Sequence, residues 1–226
     1  MAKKLWTAVD GYLNAKLVPA DAVLEAALEA NAAEGLPSID VTPTQGRFLH
    51  LLARMVGARR ILEIGTLGGY STIWMARALA EDGRLISLEF APHHAAVARA
   101  NIARAGLSQI VEVRVGPAAV SLEKMVAAGE AAFDLIFIDA DKPNNPVYLE
   151  WALKLSRPGT VILCDNVVRE GKLADAESRD PAVVGTRAMF DLMAAEQNSA
   201  KPRLVATALQ TVGAKGYDGF AMALVV

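Results

Sequence analysis

The segment Arg60-Ile-Leu-Glu-Ile-Gly-Thr-Leu-Gly-Gly-Tyr-Ser71 places a short apolar run directly before a glycine-rich stretch. The run is nearly continuous rather than alternating, which is typical of a strand covered on both faces, as in a parallel sheet. Glycines then permit a tight turn, and an amphipathic stretch near residues 69–80 predicts a helix. The segment therefore predicts a strand–turn–helix unit.

The same alternation of short apolar runs and longer amphipathic stretches continues along the chain. Further apolar runs lie at 84–89, 110–115, 133–139 and 160–165, and helical stretches lie near 91–105, 118–128 and 146–155. Helices that connect parallel strands form right-handed crossovers. We therefore predict an α/β fold with a doubly wound sheet.

Both ends of the chain depart from this alternation. Residues 1–56 have helical patterns, the last helix beginning at Thr42-Pro43, and we expect them to cover the sheet. Near the other end, a helix at 183–196 precedes strand-like runs at 204–211 and 219–226, with a loop at 212–218 between them. Such a pair predicts a hairpin, so at least one strand should be antiparallel. We expect one domain over residues 1–226, with its α/β core at 57–226.

Composition excludes several classes of protein. The chain has 226 residues, of which 53% are hydrophobic, a globular rather than disordered mixture. Its net charge is −2, with Lys and Arg dispersed among acids, so we expect no nucleic-acid or membrane partner. A single cysteine, Cys164, forbids an intrachain disulfide, and no secretory apolar stretch follows the N-terminus. A cytoplasmic location is the expectation.

Glycine or a carboxylate follows each predicted parallel strand. In open α/β sheets, ligands bind beyond the carboxyl ends of the strands, where such residues meet. The glycine-rich turn that begins at Gly65 and the acidic Glu89 at the end of the second strand together favour a nucleoside of adenosine type. A dinucleotide fits less well, because Leu67 stands where its fingerprint requires a second glycine. Tight packing alone would also explain glycine at this turn.

Asp139, Asp165 and Asn166 follow two neighbouring strands and offer hard oxygen ligands for Mg²⁺. An Asp-Asn pair by itself could equally form a turn or a helix cap. Lys142 lies three residues after Asp139. Beside a cation its pKa should fall, which would suit a general base, whereas a solvated loop lysine is the alternative.

These residues together resemble a known family, the cation-dependent class I O-methyltransferases, which includes catechol and caffeoyl-CoA O-methyltransferases. The resemblance rests on the segments 63–71, 116–118 and 139–142, on Glu89 and on the pair Asp165-Asn166. It implies a Rossmann-like seven-stranded sheet whose last strand is antiparallel. It also implies S-adenosylmethionine as the methyl donor and Mg²⁺ or another divalent cation.

The resemblance assigns a role to each motif residue. Donor-binding residues would be Thr42, Glu63, Gly65, Thr66, Ser71, Glu89, Ala118 and Asp139. Asp139, Asp165 and Asn166 would bind the metal, Lys142 would be the catalytic base, and Tyr148 would contact the substrate. Many members carry an aromatic residue where this chain has Asn145, so acceptor specificity does not carry over.

The predicted function is transfer of a methyl group from S-adenosylmethionine to a hydroxyl of a catechol-like aromatic small molecule, in a homodimer. One alternative is a methyltransferase acting on a different chelating acceptor, and another is an NAD(P)-binding oxidoreductase. A donor-binding protein without activity is a third. The charged segment 167–181 is either a lid that selects the acceptor or a solvated loop.

Overall fold

The computed structural model describes residues 2–226, which form a central sheet flanked by helices. The strands are β1 (Arg60–Ile64), β2 (Arg84–Glu89), β3 (Val111–Val115), β4 (Leu135–Ile138), β5 (Val161–Asp165), β6 (Leu204–Gly213) and β7 (Gly216–Val225). The helices are α1 (Ala2–Leu17), α2 (Ala22–Ala33), α3 (Pro43–Met55), α4 (Tyr70–Ala76), α5 (Pro92–Arg104), α6 (Ala118–Ala127), α7 (Asn145–Lys154) and α8 (Pro181–Gln197).

The sheet has seven strands in the order β3-β2-β1-β4-β5-β7-β6. The first five strands are parallel, and Ile64 of β1 pairs with Leu88 of β2 on one side and with Ile138 of β4 on the other. Only β7 runs antiparallel to its neighbours, β5 and β6. The predicted doubly wound sheet with an antiparallel last strand is therefore confirmed, and strand order reverses between β1 and β4.

The C-terminal hairpin corrects one expectation. Residues 212–218 were expected to form a loop, but the strands extend through most of them, and Gly213 pairs with Gly216. Val212 pairs with Tyr217, and such a β-branched–aromatic pair across two strands stabilises a sheet. The turn is therefore far tighter than the polar and glycine residues of this segment suggest.

Hydrophobic side chains fill both faces of the sheet. Along β1, Leu62 and Ile64 belong to one buried cluster, whereas Ile61 belongs to the other. The first cluster includes side chains of α6, α7 and α8, and the second includes those of α2, α3, α4 and α5. Burial on both faces explains why the parallel strands read as continuous apolar runs.

Helices α2 and α3 begin at capping residues, and the three N-terminal helices differ in burial. The carboxylate of Asp21 accepts hydrogen bonds from the backbone of Val23 and Leu24 at the start of α2, and Thr42 caps α3. Helix α1 buries none of its residues. Among residues 2–226, no helix is long and apolar enough to span a membrane.

Helix α8 lies against the turn that carries Lys142. A Cβ atom added at Gly185 would lie 2.5 Å from the Lys142 carbonyl oxygen and 2.6 Å from the Cα of Pro143. Both atoms are backbone atoms, which cannot move aside as a flexible side chain can. Glycine at this position therefore lets the helix support the turn at close range.

Replacing Gly185 with alanine should displace the turn and lower the free energy of unfolding by about 1–3 kcal/mol. Thermal unfolding followed by circular dichroism measures the change. Gly11→Ala is the matched control, because no atom lies within 4 Å of its added Cβ, and it should stabilise α1 by up to about 1 kcal/mol. Equal melting temperatures for the two variants would contradict the close contact.

Candidate active site

A cavity of about 760 Å³ opens at the carboxyl ends of the parallel strands. Its wall runs from Glu89, the last residue of β2, and Ala118, beyond β3, to Asp139 and Asn166, beyond β4 and β5. The cavity therefore lies over the reversal of strand order, where ligands bind in folds of this type. We call the part over β1, β2 and β3 the donor half and the part over β4 and β5 the acceptor half.

Most residues that the sequence singled out lie on the cavity wall. These are Gly65, Thr66, Ser71, Glu89, Ala118, Asp139, Lys142, Tyr148 and Asn166. Thr42, Glu63 and Asp165 do not line the cavity. Glu63 contacts Ser71, which lines the cavity, whereas Thr42 and Asp165 both contact Gln45.

The glycine-rich turn combines left-handed backbone with close packing. Gly65 has a φ of 100°, and a Cβ added there would lie 2.1 Å from the carbonyl oxygen of Asp139. Leu67 also has a positive φ, 50°, which is uncommon for a residue with a branched side chain. The backbone of the turn is therefore left-handed at Leu67 as well, although glycine adopts this conformation more readily than leucine.

The carboxylate of Glu89 holds this turn in place. Its Oε2 atom accepts hydrogen bonds from the backbone N–H groups of Thr66 and Leu67, at 3.1 and 2.8 Å. Its Oε1 atom accepts from the N–H of Ala91 at 2.9 Å. A carboxylate has about four acceptor positions, so one remains for a ligand hydroxyl. Glu89 therefore both fixes the turn and faces the cavity.

Glu63 lies beneath the cavity instead of on its wall. Its carboxylate is fully buried and accepts hydrogen bonds from the hydroxyls of Ser71, Thr72 and Ser87. Burial raises the pKa of Glu63 to about 7, against the opposing effect of these hydroxyls. Of the three, only Ser71 lines the cavity. Glu63 therefore lies behind Ser71, with its carboxylate surrounded by three hydroxyls, and does not line the cavity itself.

Thr42 and Asp165 are connected through Gln45. The Thr42 hydroxyl accepts a hydrogen bond from the Gln45 backbone at 3.2 Å, which caps α3. The Gln45 side chain in turn donates to Oδ2 of Asp165. Thr42 thus acts as a helix cap, and its neighbour Val41 reaches the cavity wall in its place.

Lys142 is buried and paired with Asp139. Its Nζ atom lies 2.8 Å from Oδ1 of Asp139, and only 8% of the residue is exposed. Burial lowers the pKa of Lys142, but the charges of nearby groups, Asp139 foremost, outweigh it and the net shift is upward. The solvated-lysine alternative is excluded, and the expected fall in pKa does not occur in the protein alone.

The predicted metal ligands Asp139, Asp165 and Asn166 lie at the ends of the paired strands β4 and β5. Burial, and after it the charge of Asp139, raises the pKa of Asp165 to about 6. Asn166 has a φ of 57°, a conformation that asparagine tolerates well, and it lines the cavity. Two carboxylates and an amide oxygen suit a hard divalent cation that also relieves the repulsion between the two negative charges. The residues present therefore fit the implied ion, although residues 2–226 contain no cluster of three His, Cys, Asp or Glu side chains.

Tyr148 faces the acceptor half with its hydroxyl already bound. The hydroxyl donates to Oδ1 of Asp141, while Asn144 donates to the other oxygen of the same carboxylate. Burial, followed by the hydrogen bond to Asp141, raises the pKa of Tyr148. The ring therefore offers an aromatic surface with a neutral, fixed hydroxyl.

Several wall residues were not predicted from the sequence. His94 lines the cavity with Nδ1 3.6 Å from Oε1 of Glu89, whereas the adjacent His93 is exposed. Neighbouring positions on a helix point in different directions, so one histidine of a pair can face a cavity while the other does not. Arg169 also lines the cavity, within a segment whose charges suggested either a lid or a solvated loop.

The N-terminal segment contributes to the wall as well. Ile39, Asp40 and Val41 line the cavity. Asn31 of α2 donates to Asp40 at 2.9 Å and accepts from Asn101 of α5 at 3.0 Å. No signal in the sequence pairs these distant side chains, and Thr42 was the one residue of the N-terminal segment that we expected at the site.

Comparisons with known proteins identify the family. A family model described as O-methyltransferase matches residues 16–215. The catechol O-methyltransferase of Niastella koreensis is 51% identical over 225 residues, which cover 100% of both chains. The catechol O-methyltransferase of Mycobacterium tuberculosis is 51% identical over 217 residues, 96% of this chain and 94% of that protein.

Solved structures agree in fold over the whole chain. The O-methyltransferase of Bacillus cereus, in complex with SAH, has a TM-score of 0.95 and 58% identity, covering 99% of this chain and 100% of its own. The O-methyltransferase TomG of Streptomyces achromogenes, in complex with SAM, has a TM-score of 0.94 and 46% identity, with 100% and 99% coverage. The resemblance drawn from the strand-end residues is confirmed, and this chain belongs to the O-methyltransferase family as an enzyme of that class.

Proposed function

We propose that the protein transfers the methyl group of S-adenosylmethionine to one hydroxyl of a catechol-like aromatic molecule, with a divalent cation and with Lys142 as the base. One observation carries the proposal. At the end of β4, Asp139 pairs with the buried Lys142, directly between a nucleoside-type half of the cavity and a set of oxygen ligands. Catechol O-methyltransferases are among the relatives that are 51% identical to this chain.

The donor half supports S-adenosylmethionine as the methyl donor. Glu89 retains one acceptor position for a ribose hydroxyl, and Pro117 and Ala118 offer apolar surface on the cavity wall for a base. Ser71, held by Glu63 beneath it, presents a hydroxyl to the methionine side. Two similar proteins have SAH or SAM bound in their structures.

The acceptor half supports an aromatic molecule with two adjacent oxygen atoms. Asp139, Asp165 and Asn166 would hold the divalent cation, and Tyr148 would lie beside the ring of the acceptor. Such a cation, when bound, would hold adjacent hydroxyls, lower their pKa and disfavour the ammonium form of Lys142.

Lys142 is placed to receive the proton of the reacting hydroxyl. In its neutral amine form Nζ takes up that proton, and the acceptor oxygen then forms a bond to the methyl carbon while the carbon–sulfur bond of the donor breaks. The leaving group is the neutral thioether S-adenosylhomocysteine. Oδ1 of Asp139 lies 2.8 Å from Nζ of Lys142 and keeps the lysine side chain on the cavity wall. Proximity and orientation of the base therefore supply much of the rate acceleration.

The same cavity bears on the two alternative functions. A different chelating acceptor would use the same oxygen ligands, whereas the family now established argues against an NAD(P)-binding oxidoreductase.

Exposed apolar side chains on α1 and on the edge strand β6, among them Leu5, Val9 and Leu209, support a homodimer through these elements. The buried, unpaired Cys164 supports a cytoplasmic location.

Methyl transfer to catechol, with resorcinol as the matched acceptor, tests the proposed function. The two molecules differ only in whether their hydroxyls are adjacent. We expect transfer to catechol in Mg²⁺, its loss in EDTA, and rates at least about 100-fold lower for resorcinol. Equal rates for the two acceptors, or transfer that persists in EDTA, would contradict the assignment of the oxygen ligands.

Lys142→Met should lower kcat for catechol by about 10²- to 10⁴-fold, because the reacting hydroxyl loses its base. Affinity for S-adenosylhomocysteine, measured by calorimetry, should change far less. The variant rate should also recover as the pH rises and the acceptor ionises by itself. Lys124→Met, at an exposed lysine on α6, is the control. Undiminished turnover in Lys142→Met would remove the lysine from the mechanism.

Glu89→Gln should weaken binding of S-adenosylhomocysteine by about 10- to 100-fold, since an amide cannot accept all three backbone N–H groups and the ribose hydroxyl. Isothermal calorimetry gives the dissociation constant directly. Glu112→Gln, at an exposed glutamate on β3, provides the comparison. The same affinity in both variants would place the ribose elsewhere.

A further inference from the structure

Arg169 is a cation on the wall of the acceptor half to which the proposed chemistry gives no role. It follows β5 by four residues, three beyond Asn166, and it lines the cavity. The residue is half-buried, and its Nε atom is buried without a hydrogen-bond partner. A guanidinium has five N–H donors, and burial without partners is costly.

The carboxylates at this end of the cavity already have partners. Asp139 pairs with Lys142, Asp141 accepts from Tyr148, and Asp165 accepts from Gln45. Within residues 2–226, Arg169 makes no ion pair and its guanidinium donates no hydrogen bond, whereas its backbone N–H donates to Asp218. No protein counter-ion therefore neutralises the guanidinium.

The backbone around Arg169 is held in an unusual conformation. Arg169 and Glu170 have φ values of 55° and 58°, in the left-handed region that residues with side chains seldom adopt. Oδ1 of Asp218 on β7 accepts hydrogen bonds from the backbone of Val168 and Arg169, at 2.9 and 3.0 Å. Such strain persists where the surrounding structure enforces it, and it occurs preferentially at ligand-binding sites. Asp218 is thus a positioning residue for Arg169.

Building on the function proposed above, we propose that Arg169 binds an anionic substituent, a carboxylate, on the aromatic acceptor. A guanidinium binds a carboxylate through two parallel N–H···O hydrogen bonds, and the pair compensates the burial of both charges. The two hydroxyls of the acceptor would face Asp139 and Lys142, and the carboxylate would lie at the other end of the ring. The preferred substrates would then be dihydroxybenzoate-like acids instead of neutral catechols.

Two acceptors of nearly equal size test this assignment. 3,4-Dihydroxybenzoate carries the carboxylate, and 3,4-dihydroxybenzyl alcohol replaces it with a neutral group. We expect the native enzyme to favour the acid in kcat/KM, and Arg169→Asn to reduce that preference by about 10- to 100-fold. Asparagine suits the left-handed backbone, so the variant removes the cation with little strain. Thermal unfolding confirms that it folds.

Controls separate local recognition from the general charge of the segment. Lys172→Gln removes an exposed cation from the same segment and should leave the preference unchanged. Arg169→Lys should restore part of the preference, because a single ammonium lacks the two parallel donors. A native enzyme without preference for the acid, or an Arg169→Asn variant that keeps it, would overturn the proposal.

Calorimetry keeps this proposal distinct from the proposed function. The dissociation constants of both acceptors are measured with Mg²⁺ and S-adenosylhomocysteine present, so no turnover is needed. Tighter binding of the acid that depends on Arg169 supports the anion site even if neither molecule is methylated, and the missing transfer would then count against the catechol assignment alone. Equal binding of the two molecules would overturn the anion site whatever the rates.

Discussion

The contact between Gly65 and the carbonyl oxygen of Asp139 is the constraint on which the site depends. A side chain at residue 65 would place its Cβ 2.1 Å from that oxygen, so only glycine lets the ends of β1 and β4 approach this closely. The glycine-rich turn belongs to the donor half, and Asp139 begins the acceptor half. Methyl transfer requires both reactants in one cavity at reacting distance. The missing Cβ at one position therefore brings the two halves of the cavity together.

Buried charge organises both halves of the cavity. In the donor half, Glu63 is neutral for part of the physiological pH range because burial raises its pKa to about 7, and three hydroxyls bind it. In the acceptor half, Lys142 offsets part of the repulsion between Asp139 and Asp165. The two carboxylates lack a second positive charge, which is what a divalent cation provides. Burial also raises the pKa of Cys164 to about 12, so its thiol is inert.

The sequence predicts the parallel strands well, because burial on both faces leaves continuous apolar runs. The carboxyl ends of these strands then place Glu89, Asp139 and Asn166 at one edge of the sheet. It predicts the hairpin loop poorly, since the pairing of Val212 with Tyr217 is decided by the neighbouring strand and not by local composition. The sequence pattern also does not show how far below the cavity wall a side chain lies. Alternation gives the face of a strand, whereas only the packed structure shows that Glu63 lies below the wall and that Gln45 reaches Asp165.

We propose that the cation belongs to the acceptor half and that the donor half is complete without it. Calorimetric titration of catechol into the complex with S-adenosylhomocysteine, in Mg²⁺ and in EDTA, tests this claim most directly. We predict that EDTA weakens catechol binding by at least about tenfold, while the affinity for S-adenosylhomocysteine itself changes little. Catechol binding that is equally tight in EDTA would contradict the account.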